Sequence, residues 1–296
     1  MSKLLPYISQ KQPTSDDRSF NYGDGCFTTM LKMGEFISLK SFHARRLFND
    51  SQRLGIFNST LNIALTDFLL LIEHIEAHNI GAIPTNELSR KVVKISISRG
   101  EGGRGYTPDK NSNPIIFVST HTLATPVPEG LNIALCTSVE LAEQPLLAGI
   151  KHKNRLEQVL AKLELKDYPK IDDLLLSSTS GCLIECTASN IFLKRGDTWY
   201  TPDLSTCGVA GVMREFVLHY METSGIAYQI ARVTQDDLSS VSEAFCCNAL
   251  LGISPIKTIE LGKDSLTLNY AATIVMKGII NNALQQEVIN YRSEQK

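Results

Sequence analysis

The stretch "DDLLLSSTSGCLIECTASNIFLKRGDTWYTP" (172–202) decides the expected fold of the second half of the chain. Runs of apolar and aromatic residues are separated there by Gly181 and Gly196, which predicts short strands joined by tight turns. The RGD sequence at 195–197 lies between two of these strands, so it indicates a hairpin turn rather than an adhesion signal. Further strands are expected near 131–138, 227–233, 243–249 and 253–260, and helices over about 211–223 and 269–288. The second half is therefore predicted to be a barrel-like or sandwich body.

The first third of the chain mixes helix and strand patterns. The sequence FTTMLKMGEFISLK (27–40) predicts a hairpin, and the β-branched runs at 91–98 and 114–120 predict two further strands. Between them, apolar stripes predict a helix that Ser41 caps and a second helix over about 61–78. The fold class is thus expected to be α+β.

Two domains are expected from the length of 296 residues. The segment HTLATPVPEG (121–130) has two prolines and a glycine, which favour an extended connector. We therefore predict an N-terminal α/β domain over 1–121, a linker over 122–130 and a larger C-terminal domain over 131–296.

The composition disfavours several classes of function. The formal net charge is −2 and the basic residues are scattered, so nucleic acid is not expected as a partner. No apolar run approaches the roughly 20 residues of a membrane span and no secretory signal is evident, which predicts no membrane association and a cytosolic location. The seven cysteines include no C-x-x-C pair, and His74 and His78 have no evident third ligand. No metal site is predicted.

The sequence GEGGRG (100–105) satisfies the glycine pattern of a dinucleotide-binding turn and follows a predicted strand. That motif needs a helix to begin at the glycines, whereas YTPDKNSNP follows here and has two prolines. A nicotinamide-binding site is therefore rejected. Two alternatives stay open for these residues, an exposed hairpin end and a lid whose Arg104 binds a carboxylate.

The segment GIKHKNRLEQVLAKL (149–163) places Lys151 and Lys153 just before a helix. Asn154 and Glu157 have the spacing of a capping box. The apolar stripe expected to be buried consists of Leu156, Val159, Leu160 and Leu163. Lys151 directly follows the apolar LLAGI, so we expect it to be the deeper lysine and Lys153 to face solvent. A partly desolvated lysine has a lowered pKa and can act as a nucleophile and base, although two surface lysines are the plain alternative.

Two further segments carry groups that a charged ligand needs. Glu185 lies within the apolar GCLIECTASNIF (181–192), and a buried acid requires a positive group or a hydrogen-bond donor. The sequence TCGVAGVMREF (206–216) leads through glycines into a helix, so the amides of Val212 and Met213 are available to an anion. Arg46, on the first helix, is expected to add a charge-assisted contact to that anion.

Together these segments resemble the fold-type IV pyridoxal-phosphate enzymes, and among them the aminodeoxychorismate lyases. The resemblance runs over most of the chain. It rests on seven ordered blocks: SDDRSFNYGDGCFTT (15–29), HARRL (43–47), SRGEGGRGY (98–106), LLAGIKHKNRLEQVLA (146–161), ECTASNIF (185–192), GVMR (211–214) and CNALLGISPI (247–256). It implies a small N-terminal α/β sandwich, a larger C-terminal pseudo-barrel domain and pyridoxal 5′-phosphate as the cofactor.

The resemblance also implies roles for single residues. Lys151 matches the Schiff-base lysine, which also serves as the base, and Glu185 matches the acid that faces the pyridine nitrogen and keeps it protonated. The implied phosphate contacts are Arg46 and the amides of Val212 and Met213. Ala249 stands where related aminotransferases often have a phosphate-binding hydroxyl, so its backbone or Asn248 is expected to substitute.

The implied activity converts 4-amino-4-deoxychorismate to 4-aminobenzoate and pyruvate, a step of folate biosynthesis. Transaminases of this fold commonly have a glutamate near the position of Thr28 and Thr29, and its absence favours the lyase. The substrate has two carboxylates, which makes Arg104 the expected clamp for one of them. The implied substrate-binding residues are Thr28, Thr29, Arg104 and Tyr106.

Two alternatives remain beside the lyase. One is an aminotransferase on the same fold that acts on D-amino acids or branched-chain amino acids. The other is a non-catalytic cofactor carrier, which would not need both Lys151 and Glu185. For partners, the resemblance implies a small-molecule substrate, a homodimer with active sites near the subunit interface, and an upstream aminodeoxychorismate synthase.

Overall fold

The computed structural model describes residues 1–9, 13–58, 61–78, 90–109, 112–123 and 129–294, with side chains as far as Gln286. These residues form two compact units. The first consists of Met1–Thr125, Lys151–Asn154 and Glu287–Lys296, and the second of Pro126–Ile150 and Arg155–Gln286. The domain limits expected from the sequence stay a prediction, because residues 124–128 of the linker lie outside the described residues.

Among its described residues, the first unit contains a four-stranded antiparallel sheet with two helices packed on one face. Its strands are β1 (Gly25–Met33), β2 (Phe36–Ile37), β3 (Arg90–Ser98) and β4 (Ile115–Thr122), in the order β2-β1-β3-β4. Its helices are α1 (Arg18–Tyr22), α2 (Lys40–Arg53) and α3 (Leu65–Ala77), besides a 3-10 turn over Leu5–Tyr7. The hairpin expected over 27–40 is confirmed, as are the two strands that follow.

The two faces of this small sheet differ because side chains alternate along a strand. One face carries Met30, Ile95 and Ile116, which are fully buried against α2 and α3. The opposite face carries the cross-strand neighbours Phe27 and Ser96, and next to them Thr29 and Lys94. The sheet therefore has one apolar face for the core and one face with polar groups.

Both helix starts in this unit differ from the expectation. α2 begins at Lys40 after Leu39, which has the unusual φ of 57° and no side-chain cap, so the expected Ser41 cap is wrong. α3 begins at Leu65 rather than near residue 61, because the carboxylate of Asp67 accepts a hydrogen bond from the Ala64 amide (3.0 Å) and fixes the start there.

The second unit is built on a closed ring of strands. The strands are β5 (Leu131–Leu141), β6 (Asp173–Ser178), β7 (Leu183–Cys186), β8 (Ser189–Arg195), β9 (Thr198–Pro202), β10 (Tyr228–Ala231), β11 (Glu243–Asn248), β12 (Gly252–Leu261) and β13 (Asp264–Thr267). Among the described residues, six of them close in the order β8-β11-β12-β5-β6-β7, because β7 pairs again with β8. The barrel-like body is confirmed. The hairpin at RGD is confirmed too, since Arg195 pairs with Thr198.

Within residues 129–294, the α-helices are α4 (Leu156–Glu164), α5 (Val212–Thr223) and α6 (Ala271–Glu294). The expected helices near 211–223 and 269–288 are therefore confirmed, the second with a longer C-terminal end. None of the helices in the described ranges combines the length and the hydrophobicity that crossing a membrane requires.

α4 contradicts two expectations. It has no side-chain cap; Asn154 donates instead to the Gly23 carbonyl (3.4 Å), and Glu157 accepts from the Ala142 amide (2.8 Å), so the capping box is wrong. The apolar stripe is exposed rather than buried, with exposed fractions of 74% for Leu156, 52% for Val159 and Leu160, and 49% for Leu163. The reason is that the buried Ala161 and two carboxylates on α4 face the barrel instead.

Glu164 attaches the C-terminal end of α4 to β5. Its carboxylate accepts hydrogen bonds from the amides of Thr137 (3.0 Å) and Ser138 (2.9 Å), from both hydroxyls and from the Cys136 thiol. Burial alone would raise the pKa of Glu164, but the hydrogen bonds from Ser138, Thr137 and Cys136 lower it from 4.5 to about 2. The charged form is thus the one that stabilises the fold.

We predict that Glu164→Gln lowers the free energy of unfolding by about 1–2 kcal/mol at neutral pH. Because the folded-state pKa is depressed, this contribution is full above the ordinary pKa of 4.5 and is lost as the pH falls toward 2. Urea unfolding from pH 7 to pH 2.5 measures both effects, with the exposed Glu222→Gln as control. If Glu164→Gln and the unmodified protein have the same free energy of unfolding at every pH, the role of this carboxylate is contradicted.

Candidate active site

The segment that carries the two lysines is held against β1 by an isolated antiparallel bridge. Phe27 donates its amide to the Lys151 carbonyl (3.0 Å), and Lys153 donates to the Gly25 carbonyl (3.0 Å). Cys26 and His152 are paired between these two bonds. The main chain of the segment is therefore fixed by the small sheet of the first unit.

Lys151 lies among charged and aromatic groups of the first unit. Its amide donates to Asp50 Oδ2 on α2 (3.0 Å), and its half-buried ammonium lies over the Phe27 ring (4.9 Å to the centroid). Arg46, one helical turn before Asp50, belongs to the same neighbourhood. Burial lowers the pKa of His43 well below its ordinary value, and the positive charges of Arg46 and Lys151 lower that pKa further.

Lys153 does not face solvent, so that expectation is wrong. It is half-buried, as Lys151 is, and its ammonium donates to the Ser19 hydroxyl (3.0 Å). Burial lowers the pKa of Lys153, the charge of Lys94 lowers it further, and the fully buried Asp17 opposes both. Two half-buried lysines therefore flank His152. Their burial does not tell which of them is the reactive amine, so an experiment has to.

Thr28 and Thr29 point to opposite faces of β1. Thr28 is fully buried, and its hydroxyl shares a hydrogen bond of 2.6 Å with His43 Nδ1. Thr29 is half-buried and lies on the polar face, next to Lys94. Of the two expected substrate-binding hydroxyls, the one on Thr29 is therefore the more accessible.

The glycine-rich loop over 99–107 is anchored by Arg18, a residue that the sequence patterns did not single out. Arg18 is only 4% exposed, and its guanidinium donates to the carbonyls of Gly102 (3.4 Å), Gly105 (3.2 Å) and Tyr106 (3.2 Å). Arg18 and Arg99 also bind Asp24, and although burial alone would raise the pKa of Asp24, these two arginines lower it. The loop thus has a defined path, and no helix follows its glycines within 99–109.

This anchored loop presents Arg104 and Tyr106 to solvent. Arg104 is exposed, and its guanidinium makes no hydrogen bond or ion pair with the residues that the structure describes. Tyr106 is 89% exposed and touches Tyr22 edge-on, with 5.7 Å between the ring centroids. The loop therefore offers a cation on a fixed support, which fits the carboxylate clamp better than a plain hairpin end.

The acid expected in the second unit is buried and has the hydrogen-bond donor that burial demands. Glu185, on β7, is 4% exposed, and its Oε2 accepts from the Val209 amide (2.9 Å). Gly208, at a φ of 82°, precedes that amide; a Cβ there would lie 2.6 Å from the Ile184 side chain, so only glycine lets the backbone pass so close. The expected donor for Glu185 is thereby confirmed.

The start of α5 is ready to bind an anion. Gly211 is its N-cap and contributes no side-chain cap, and the amides of Val212 and Met213 have no acceptor in the described part of the chain. The positive end of the helix macrodipole reinforces these two donors. Arg214 fixes the first turn, because it donates to Thr201 Oγ1 (3.1 Å) and to the Pro202 carbonyl (3.0 Å).

In the turn after β11, the Asn248 side chain hydrogen-bonds to the main chain. Asn248 Oδ1 accepts from the amides of Leu250 (3.0 Å) and Leu251 (2.8 Å), and its Nδ2 donates to the Ala188 carbonyl (3.3 Å). This side chain therefore supports the turn, and the Ala249 backbone is left as the better substitute for the missing hydroxyl.

Comparison with known proteins identifies the family of the chain. The family model described as amino-transferase class IV matches residues 25–259. The chain belongs to this family. An aminodeoxychorismate lyase of Vibrio harveyi is 36% identical over 256 residues, which are 84% of this chain and 88% of that protein.

Solved structures show the same fold. The crystal structure of 4-amino-4-deoxychorismate lyase from Pseudomonas aeruginosa has a TM-score of 0.74 and 30% identity, over 94% of this chain and 96% of that one. An aminotransferase from Brucella abortus, bound to PLP, has a TM-score of 0.76 over 94% of this chain and 95% of that one. At 15% identity the latter shows the fold alone. The α+β, fold-type IV class expected from the sequence is confirmed.

Several residues that shape the candidate site were missed by sequence reasoning. Asp50 has a detectable signal, since it lies one turn after Arg46 on the same face of a predicted helix. Asn190 also has one, because a tight turn between two short strands would place it opposite Glu185. Arg18 has no such signal, since its partners are main-chain carbonyls of a loop.

Proposed function

We propose that this chain is a pyridoxal-phosphate-dependent lyase that converts 4-amino-4-deoxychorismate to 4-aminobenzoate and pyruvate. The observation that carries the proposal is the half-buried Lys151 amine on a segment fixed by β1 and Asp50, in a chain 36% identical to an aminodeoxychorismate lyase. Thr28 and Thr29 on β1, where transaminases of this fold commonly have a glutamate, favour the lyase over an aminotransferase.

The kinds of donor that pyridoxal 5′-phosphate requires are present among the residues of this chain. Its aldehyde calls for an amine, its ring nitrogen for an acid and its phosphate for amides and a guanidinium. We assign these roles to Lys151, to Glu185, and to Val212, Met213 and Arg46. The Ala249 backbone, supported by Asn248, is proposed as a further phosphate contact. When bound, the cofactor supplies an electron sink for the carbon that bears the substrate's amino group.

The chain's own groups position that cofactor and move protons. Lys151 Nζ would hold the cofactor and, as a free amine, would accept the proton from the amine-bearing ring carbon of the substrate. Asp50 and Phe27 orient Lys151 through its amide and its ammonium. Glu185 would hold the ring nitrogen of the cofactor in its protonated form. The ring C–O bond breaks and the enolpyruvyl group leaves as enolpyruvate, which takes up a proton to give pyruvate. The remaining ring is aromatic, which makes the overall reaction favourable.

The substrate's two carboxylates need cations. Arg104 is proposed to bind one of them by a charge-assisted, bidentate contact, with Thr29, Tyr106 and the more buried Thr28 around it. Arg18 supports this clamp, because it holds the main chain on both sides of Arg104.

A homodimer is the proposed assembly, and the exposed stripe on α4 supports it. Leu156, Val159, Leu160 and Leu163 form a contiguous apolar face, and large exposed apolar patches mark interaction surfaces. A second copy of the chain is the proposed cover for this face. The cytosolic location and the upstream aminodeoxychorismate synthase stay predictions.

The first test separates the two lysines. We predict that Lys151→Ala reduces 4-aminobenzoate formation from 4-amino-4-deoxychorismate by about 1,000-fold or more, whereas Lys153→Ala retains most of the activity. Borohydride reduction followed by peptide mapping should place the cofactor on Lys151. Loss of activity in Lys153→Ala alone would reverse the assignment. Transfer of an amino group to a keto acid, without 4-aminobenzoate and pyruvate, would indicate the aminotransferase.

The second test concerns the clamp. We predict that Arg104→Ala raises KM for the substrate by about tenfold or more with a smaller change in kcat, because a charge-assisted contact in the bound state is lost. Arg18→Met should raise KM in the same direction and speed amide exchange of residues 102–107. The exposed Arg53→Ala serves as control. An unchanged KM in Arg104→Ala would reject the clamp.

The third test concerns assembly. We predict that Leu160→Glu shifts the protein from dimer to monomer in analytical ultracentrifugation, because a charge is costly to bury in an apolar interface. Ile274→Glu, an equivalent change at an exposed apolar residue of α6, is the matched control and should leave the dimer intact. A dimeric Leu160→Glu protein would show that this face is not the interface.

A further inference from the structure

Asn190 occupies a place that the proposed function leaves unexplained. It is the second residue of β8, and the hairpin between β7 and β8 pairs Cys186 with Ser189 and Glu185 with Asn190. Directly opposed residues in an antiparallel pair project to the same face of a sheet. The amide side chain of Asn190, which is 5% exposed, is thus a cross-strand neighbour of the buried Glu185.

Both polar groups of this side chain bind the main chain ahead of α5. Asn190 Nδ2 donates to the Val209 carbonyl (2.8 Å), and Asn190 Oδ1 accepts from the Gly211 amide (3.0 Å). The amide of Val209 is in turn the donor to Glu185 Oε2 (2.9 Å). Two neighbouring side chains therefore hold three polar groups of the segment 209–211.

Close packing confirms that this contact is specific to the residue types present. A Cβ on Gly211 would lie only 1.9 Å from Asn190 Oδ1, although the φ of Gly211, −63°, is one that any residue adopts. Gly211 is thus required by the nearness of Asn190 rather than by its own backbone conformation. The two residues form one fitted contact.

We infer that Asn190 is a positioning residue for the cofactor, which couples the acid Glu185 to the anion-binding amides of α5 through the segment 209–211. Val209 fixes the orientation of the carboxylate, and Gly211 is the N-cap of the helix whose first amides are those of Val212 and Met213. The Asn190 side chain thereby sets the distance between the Glu185 carboxylate, which is proposed to bind the ring nitrogen, and the α5 amides, which are proposed to bind the phosphate.

The neutrality of Asn190 is part of this role. An aspartate would keep an acceptor for the Gly211 amide but would lose the donor to Val209. It would also place a second negative charge beside Glu185 and near a phosphate dianion, which destabilises both anions. Asn190→Asp therefore preserves shape while it removes the proposed function of the residue.

A double-mutant cycle on cofactor affinity tests the inference. Apoprotein is titrated with pyridoxal phosphate, and binding is followed by visible absorbance for the unmodified chain, Asn190→Ala, Gly211→Ala and the double variant. We expect each single variant to weaken binding by about tenfold or more, and the double variant to be no weaker than the weaker single, because both changes disrupt one contact. Effects that multiply, or affinities within twofold of the unmodified chain, would overturn the inference.

Two further measurements separate positioning from general destabilisation. Asn132→Ala breaks a side-chain bond to Thr258 (2.9 Å) elsewhere in the barrel, and it should leave cofactor affinity unchanged at a comparable loss of Tm. Asn190→Asp should weaken affinity at least as much as Asn190→Ala and speed amide exchange over 209–213. Asn190→Asp that binds as tightly as the unmodified chain would reject the inference, even if Asn190→Ala fails to fold. The test needs the cofactor but not the lyase reaction, so the two proposals fail separately.

Discussion

Main-chain pairing between β1 and residues 151–153 is the constraint on which the candidate site in the first unit depends. A lysine side chain has four rotatable bonds, so its amine is useful only where the backbone beneath it is fixed. The bonds from Phe27 to Lys151 and from Lys153 to Gly25, together with the Asp50 carboxylate, supply that fixation. The main chain beneath both lysine side chains is therefore fixed by one strand and one carboxylate.

In the second unit, the corresponding constraint is the burial of the Glu185 carboxylate. An acid that is 4% exposed is costly to bury unless hydrogen-bond donors surround it, and the main-chain amide of Val209 is one such donor. Only substitution by proline would remove this backbone N–H, but changes at neighbouring residues can move it. The surrounding side chains, Asn190 above all, therefore carry the task of keeping that amide in place.

The sequence predicted the strands and most helices because their apolar periodicity and glycine turns are local signals. It also indicated Lys151, Glu185 and the α5 amides, since these lie in segments whose chemistry is unusual for their surroundings. It failed at the face of α4, because periodicity locates an apolar stripe but not what covers it; here Glu157 and Glu164 turn the polar side toward the barrel. The depth of Lys153 was missed for a similar reason, since Ser19 is distant in sequence.

The closed ring of six strands in the second unit has branches at β8 and β12. These branches end in β10 and β13, each only four residues long. Unpaired strand borders attract other chains, and short borders offer too few free amides and carbonyls to recruit a neighbour. The sheet of the second unit therefore extends beyond its ring without presenting a long free edge that could recruit a strand from another chain.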